Sequence, residues 1–157
     1  MTEPIRYQLA NAHDAAALLA LQRLAYQAEA QRYQDWSIPP LTQTLDELRV
    51  ELTTHTVLKA EQAGQLIGAV RAIVQHGICD IGRLMVHPAY QRRGIGTRLL
   101  QDIEACFPNA ERFRLFTGSL SVNNLQRYQR HGYRITHTQA LTPQVQLVWL
   151  EKHPLAQ

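Results

Sequence analysis

The chain has 157 residues, 45% of them hydrophobic, which is enough to bury one proper core and leads us to expect a single domain over 1–157. No basic start runs into an apolar stretch, and no apolar run approaches the roughly 18 residues of a membrane span, so a soluble, cytoplasmic protein without a membrane partner is expected. The formal charge of +3 rests on scattered basic residues, nearly all arginine; that is weak support for a nucleic-acid partner but leaves small anions open as ligands.

Residues 5 to 10, IRYQLA, are short and alternating and predict a strand. Asn11 followed by Asp14 reads as a helix cap before a Leu- and Ala-rich stretch that should run to about Gln31. Pro39 and Pro40 break the chain. Thr44 and Glu47 then form a capping-box pattern, with Leu41, Leu45, Leu48 and Leu52 at helical spacing, predicting a second, short helix. The period changes in the middle of the chain. TVLKAE, QLIGAVRAIV and ICDIGRLMV are β-rich and are separated by Gly64 and by QHG at 75 to 77, which predicts three antiparallel strands joined by hairpins. Ile95, Leu99, Leu100, Ile103 and Phe107 return to helical spacing. RFRLFT at 112 to 117 is a strand, and Ser121 an N-cap for a short helix over 122 to 131 closed by Gly132. YRITHTQAL and QVQLVWLEK supply two last strands. The order is β-α-α-β-β-β-α-β-α-β-β, an α/β fold with a central, mostly antiparallel mixed sheet flanked by helices.

Within HPAYQRRGIGTRLL, residues 87 to 100, Gly94 and Gly96 stand where a strand gives way to the first turn of a helix. Each glycine inside a helix costs roughly 1 kcal/mol relative to alanine, so the pair needs a reason. The unpaired first N–H groups of a helix and the positive end of its dipole make an anion site, and glycine lets a phosphate approach the backbone closely. The same glycines also suit a tight turn and close packing on a sheet. A nucleotide P-loop is excluded because GxxxxGK[ST] is absent, and a dinucleotide fingerprint because Leu99 stands where its third glycine would be. The two cysteines, Cys79 and Cys106, and the seven histidines show neither disulfide nor metal spacing, so no metal is expected.

LMVHPAYQRRGIGTRLL closely resembles the coenzyme-A-binding motif of the GCN5-related N-acetyltransferases (GNAT), a strand, a proline-bearing loop and Q/R-x-x-G-x-G/A leading into a helix. SVNNLQRYQRHGY at 121 to 133 resembles that family's N-x-x-x-Y-x-x-x-G-[FY] segment, filled by Asn124, Tyr128, Gly132 and Tyr133. Two motifs in the right order are far more specific than one glycine pair. The resemblance implies acetyl-CoA as acetyl donor, bound by Gln91, Arg92, Arg93, Gly94, Ile95, Gly96 and Thr97. It further implies Asn124 at the pantetheine or phosphate, a backbone N–H at Met85 or Val86 for the thioester oxygen, and Tyr128 at the departing sulfur. The fold and function it implies are those of an N-acetyltransferase that moves acetyl to a primary amine by direct attack in a ternary complex. A non-catalytic acyl-CoA sensor is the alternative.

Acetyl transfer also needs the amine deprotonated, since an alkylamine with a pKa of about 10.4 is protonated at neutral pH. Asp80 stands where relatives often carry a glutamate acting as base through water; it reads equally as a solvated carboxylate beside a hairpin. Glu29 and Tyr33, with Asp35, lie where the fold builds its acceptor site and are expected to hold the small-molecule or peptide amine. His87 is expected to cap its loop, and Arg83 is as compatible with solvent as with the site. Dimers are common in the family, so a homodimer is a further implication of the resemblance.

Overall fold

The computed structural model describes residues 3–154. Seven strands form one sheet in the order β1-β2-β3-β4-β5-β7-β6. They are β1 (Arg6–Leu9), β2 (Thr56–Gln62), β3 (Gln65–Gln75), β4 (Ile78–Val86), β5 (Arg112–Gly118), β6 (Arg134–Ala140) and β7 (Gln146–Lys152). Every neighbouring pair is antiparallel except β4 with β5. The expected strand and helix order is present, so the α/β fold predicted from periodicity is the observed one.

Helix α5 (Ile95–Ala105) crosses over between β4 and β5, as a parallel connection requires. Its Ile95, Leu99, Leu100 and Ile103 are all within 1% of complete burial and form the core of one sheet face with Phe113, Leu115, Val148 and Leu150. The opposite face packs α1 (Ala15–Ala25) and α4 (Leu45–Thr54) through Leu18, Leu21 and Leu48 against Val57, Ala69 and Met85.

The first helix departs from the sequence-based expectation. It is interrupted at Tyr26, where ψ of 3° opens the spiral, and restarts as α2 (Gln27–Tyr33). The Asn11/Asp14 capping box forms, but around a 3-10 turn over Ala12–Asp14 that precedes α1. Pro39 and Pro40 do end the preceding chain direction, yet they also open a four-residue helical turn, α3 (Pro39–Thr42), because proline lacks only an N–H that a first turn leaves unused. Gln22, 2% exposed, ties that turn to α1 by donating from Nε2 to the Pro40 carbonyl and to Gln43 Oε1, each at 2.9 Å. The Thr44/Glu47 capping box at α4 forms as expected.

Candidate active site

Strands β4 and β5 pair only over Ile78–Asp80 with Arg112–Arg114. Beyond Asp80 they diverge, and the space between them opens into a cleft of about 690 Å³ that reaches from α2 to the loop before α5. A bulge interrupts β4 within the diverging stretch. Val70 on β3 faces both Arg83 and Leu84 on β4, and Arg83 takes a left-handed φ of 50°. The edge of β4 from Ile81 to Val86 is consequently unpaired on its β5 side. His87 N–H donates to the Ile67 carbonyl on β3 at 2.7 Å. Alternation along an antiparallel strand then sends the N–H of Val86 the other way, into the cleft. Of Met85 and Val86, both of which line the cleft, Val86 is therefore the one with a donor to offer.

The glycine turn closes the far end. Arg92 and Gly94 both adopt left-handed backbone, at φ of 64° and 80°, and the first backbone bond of α5 is Arg98 N–H to the Gly94 carbonyl. Among the described residues, no acceptor meets the backbone N–H groups from Arg92 to Thr97, which leaves six consecutive donors unpartnered at a helix N-terminus. Gly94 is needed for its φ, since a Cβ there would meet open space. Gly96 is needed for room: a Cβ would lie 3.0 Å from Arg127 Nη1 of α6 (Val122–Arg130). Arg127 thus adds a cation beside the turn that neither motif signals by its spacing.

The expected cofactor residues divide. Gln91, Arg92, Gly94, Ile95, Gly96, Thr97 and Asn124 line the cleft, with Asn124 Nδ2 3.4 Å from Thr117 Oγ1. Arg93 does not; its guanidinium lies over the Tyr90 ring, 5.1 Å from the centroid. His87 caps the loop as expected, its Nδ1 accepting from Ala89 N–H at 3.0 Å.

Tyr128 lines the cleft and is 6% exposed. Its ring meets Tyr133 edge-on at 5.9 Å, and Tyr133 is anchored by donating to Glu104 Oε2 at 2.7 Å. Among the described residues the Tyr128 hydroxyl has no hydrogen-bond partner, and it is not among the atoms sealed from solvent. Burial pushes its pKa well above that of a free phenol, aided by Tyr26 across the cleft, so the hydroxyl is a neutral donor.

Asp80 stands apart from the other expected site residues. Both its oxygens are held by Arg114, Nε to Oδ1 at 2.7 Å and Nη2 to Oδ2 at 3.0 Å, at the last pair of the parallel ladder. It is not among the residues lining the cleft. Asp80 is thus an ion-pair partner between strands, set apart from the cleft residues it was expected to join.

Glu29 and Tyr33 do come to the cleft, as part of a clamp. Ser121 Oγ donates to Glu29 Oε2 at 2.7 Å, Arg32 holds Oε1 at 2.8 Å, and the Tyr33 hydroxyl accepts from Leu120 N–H at 2.7 Å while lying 3.2 Å from Ser121 Oγ. Ser121 therefore spends its hydroxyl on α2 instead of capping α6. Asp35 is turned to Ser37 and Thr142. The cleft residues without a role in the sequence reading include Tyr26 at the break between α1 and α2 and Arg71 on β3, and Arg83 joins them in the cleft wall. Nothing local marks Tyr26 or Arg71, because their place depends on the packing of α1 and α2 over the diverging strands.

The sequence profile of the Acetyltransferase (GNAT) domain matches residues 53–135, more than half of the chain. Two Bacillus subtilis proteins, the uncharacterized YdhI and YxbD, are 31% identical over 75 residues and 32% identical over 73. The matches cover 46% and 45% of this chain and the same shares of those proteins, so the chain spans about half the length of the curated relatives it matches. Among solved structures, the PaiA N-acetyltransferase of Thermoplasma acidophilum in complex with coenzyme A superposes with a TM-score of 0.78 at 16% identity, over 96% of this chain and 99% of that one. The ribosomal-protein-S18-alanine N-acetyltransferase of Escherichia coli gives 0.79 at 12% identity, over 96% and 94%. At such identities the likeness is one of fold.

Proposed function

The chain belongs to the GNAT acetyltransferase family, and on that premise we propose that it transfers acetyl from acetyl-CoA to a primary amine by direct attack within a ternary complex. The observation that carries this reading is the row of six unpartnered N–H groups from Arg92 to Thr97 at the mouth of a cleft opened by two diverging strands. The row suits a pyrophosphate, and Arg92 and Arg127 add charge beside it. The diverging strands leave a slot for an extended pantetheine arm, whose amides can pair with the open edge of β4.

In this reading the thioester carbonyl accepts from Val86 N–H. The acceptor nitrogen attacks the carbonyl carbon, a C–N bond forms, and the C–S bond breaks as the sulfur departs with the electron pair. Tyr128 donates a hydrogen bond to that sulfur. A free phenol already sits about 1.5 pKa units above a free thiol, and burial raises Tyr128 further, so it stabilises the thiolate without surrendering its proton. The proton released by the amine goes to water. Glu29, the one carboxylate among the described cleft-lining residues, is held by Arg32 and Ser121 and adds the negative charge that draws the ammonium in.

Calorimetry with acetyl-CoA, followed by release of free coenzyme A across a panel of amines, tests the proposal. Binding followed by amine-dependent release is expected. Binding without turnover on any amine would instead support a non-catalytic acyl-CoA sensor, and no binding would defeat both. Gly96→Asp, which sets a carboxylate against the phosphates, should abolish binding while the protein stays folded by circular dichroism.

A further inference from the structure

Beside the thioester slot, on the α1 and α4 face of the sheet, two arginines, Arg71 and Arg83, line a small cavity with a single carboxylate, Glu51. Arg71 pairs with Glu51 of α4. Arg83 pairs with nothing: among the described residues it makes no hydrogen bond or ion pair, and its Nε is fully buried without an acceptor. Buried guanidinium groups are costly unless paired. The unbalanced charge is felt around it, since after burial itself the Arg83 charge is what lowers the pKa of both Arg71, to about 10, and His55.

Backbone geometry puts Arg83 there. The bulge on β4 holds it at φ of 50°, a left-handed conformation uncommon for a residue other than glycine, on the stretch of β4 that has already left β5. Arg83 lines both the acceptor end of the large cleft and a small cavity of about 30 Å³ beneath it, room for about one water. Tyr26 lies close enough that the Arg83 charge acts on its ionisation, and the Tyr26 hydroxyl also has no protein partner among the described residues. Glu29, also in the cleft wall, is close enough for its charge to act on Tyr26 as well. The acceptor end thus offers unmatched donors near Arg83 and a carboxylate at Glu29, an arrangement complementary to a molecule carrying both charges.

Resting on the acetyl-transfer reading, we propose that the acceptor is a carboxylate-bearing amine of the amino-acid type, its carboxylate received by Arg83 with Tyr26 beside it. The substrate carboxylate then supplies an acceptor to the Arg83 Nη groups, which have no partner among the described residues and, unlike Nε, are not sealed from solvent. Polyamines and other polycations are disfavoured by the same charge.

The test compares α-amino acids with their own carboxamides, which keep shape and amine but lose the negative charge. For the best acceptor, kcat/KM is expected to be at least about 30-fold higher for the carboxylate, in keeping with hydrogen bonds to a charged group. Arg83→Gln should bring that ratio to within about threefold, mainly through KM, and Arg83→Lys should retain part of it. Calorimetry with acetyl-CoA checks that each variant is folded. A wild-type ratio near one, preference for spermidine or for an O-phosphorylated amine over every carboxylate, or a ratio untouched by Arg83→Gln overturns the inference while acetyl-CoA binding leaves the acetyl-transfer reading standing. Failure of the wild-type protein to bind acetyl-CoA overturns both. Should Arg83→Gln not fold, the wild-type ratio alone decides.

Discussion

Replacing Tyr128 by phenylalanine isolates one hydroxyl in the cleft. That hydroxyl has no protein partner among the described residues, so its removal orphans nothing and should change stability by about 0.5 kcal/mol or less. The ring, 6% exposed and packed edge-on against Tyr133, stays in place. On the proposed mechanism, what is lost is a neutral donor to a sulfur that becomes charged only as the C–S bond breaks. One such donor is worth about 1.4 to 4 kcal/mol of barrier, so kcat should fall by about 10- to 10³-fold with acetyl-CoA affinity nearly unchanged. Tyr133→Phe is the matched control. Its hydroxyl donates to Glu104 at 2.7 Å, so that change should cost about 1 to 3 kcal/mol of stability while turnover per folded molecule persists. Steady-state release of coenzyme A, calorimetry and thermal melting on the same preparations separate the two effects. Wild-type kcat in Tyr128→Phe would refute the assignment and leave thiolate departure to solvent or another donor.

Asp80→Asn should leave kcat/KM within about twofold at every pH and cost about 1 kcal/mol or less, because the ion pair it weakens is one-third exposed; a large loss confined to neutral pH would restore Asp80 as the base. In Gly118→Ala the new Cβ would collide with the Tyr33 ring and hydroxyl, so the Tyr33 side chain must leave its clamp and stability should fall by about 1 to 3 kcal/mol in urea; an unchanged urea midpoint would show the Tyr33 clamp to be loose. Burial, then the Arg83 charge, holds the folded-state pKa of His55 below its unfolded value of about 6.5. The unfolded chain therefore takes up the proton first, so this contribution is complete above pH of about 6.5 and is lost as pH falls below it. Urea midpoints at pH 7.5 and 5.5 should diverge less in His55→Gln than in the wild type, and equal divergence would place the acid sensitivity elsewhere.

The interactions legible in the sequence are those within a few residues. The Thr44/Glu47 box, the apolar spacing of α5, the three hairpin strands and the left-handed Gly94 are local, because helix and turn hydrogen bonds join residues three or four apart. The two motifs, Gln91 to Gly96 and Asn124 to Gly132, inherit that legibility, and both reach the cleft. Even the break at Tyr26 lies in a stretch whose composition reads as continuous helix; packing over the diverging strands imposes it. Partnership across the sheet was not readable. Asp80 and Arg114 are 34 residues apart and meet only because the parallel register of β4 on β5 sets them opposite each other, and no local pattern specifies that register. Arg83 illustrates the same limit from the other side. One extra residue in β4 relative to β3 turns its side chain toward the α1 and α4 face, and a bulge is a property of two strands together. Chemistry near the cofactor was therefore written along the chain, whereas the acceptor end, assembled from α2, β3 and β4, came into being only when those elements packed.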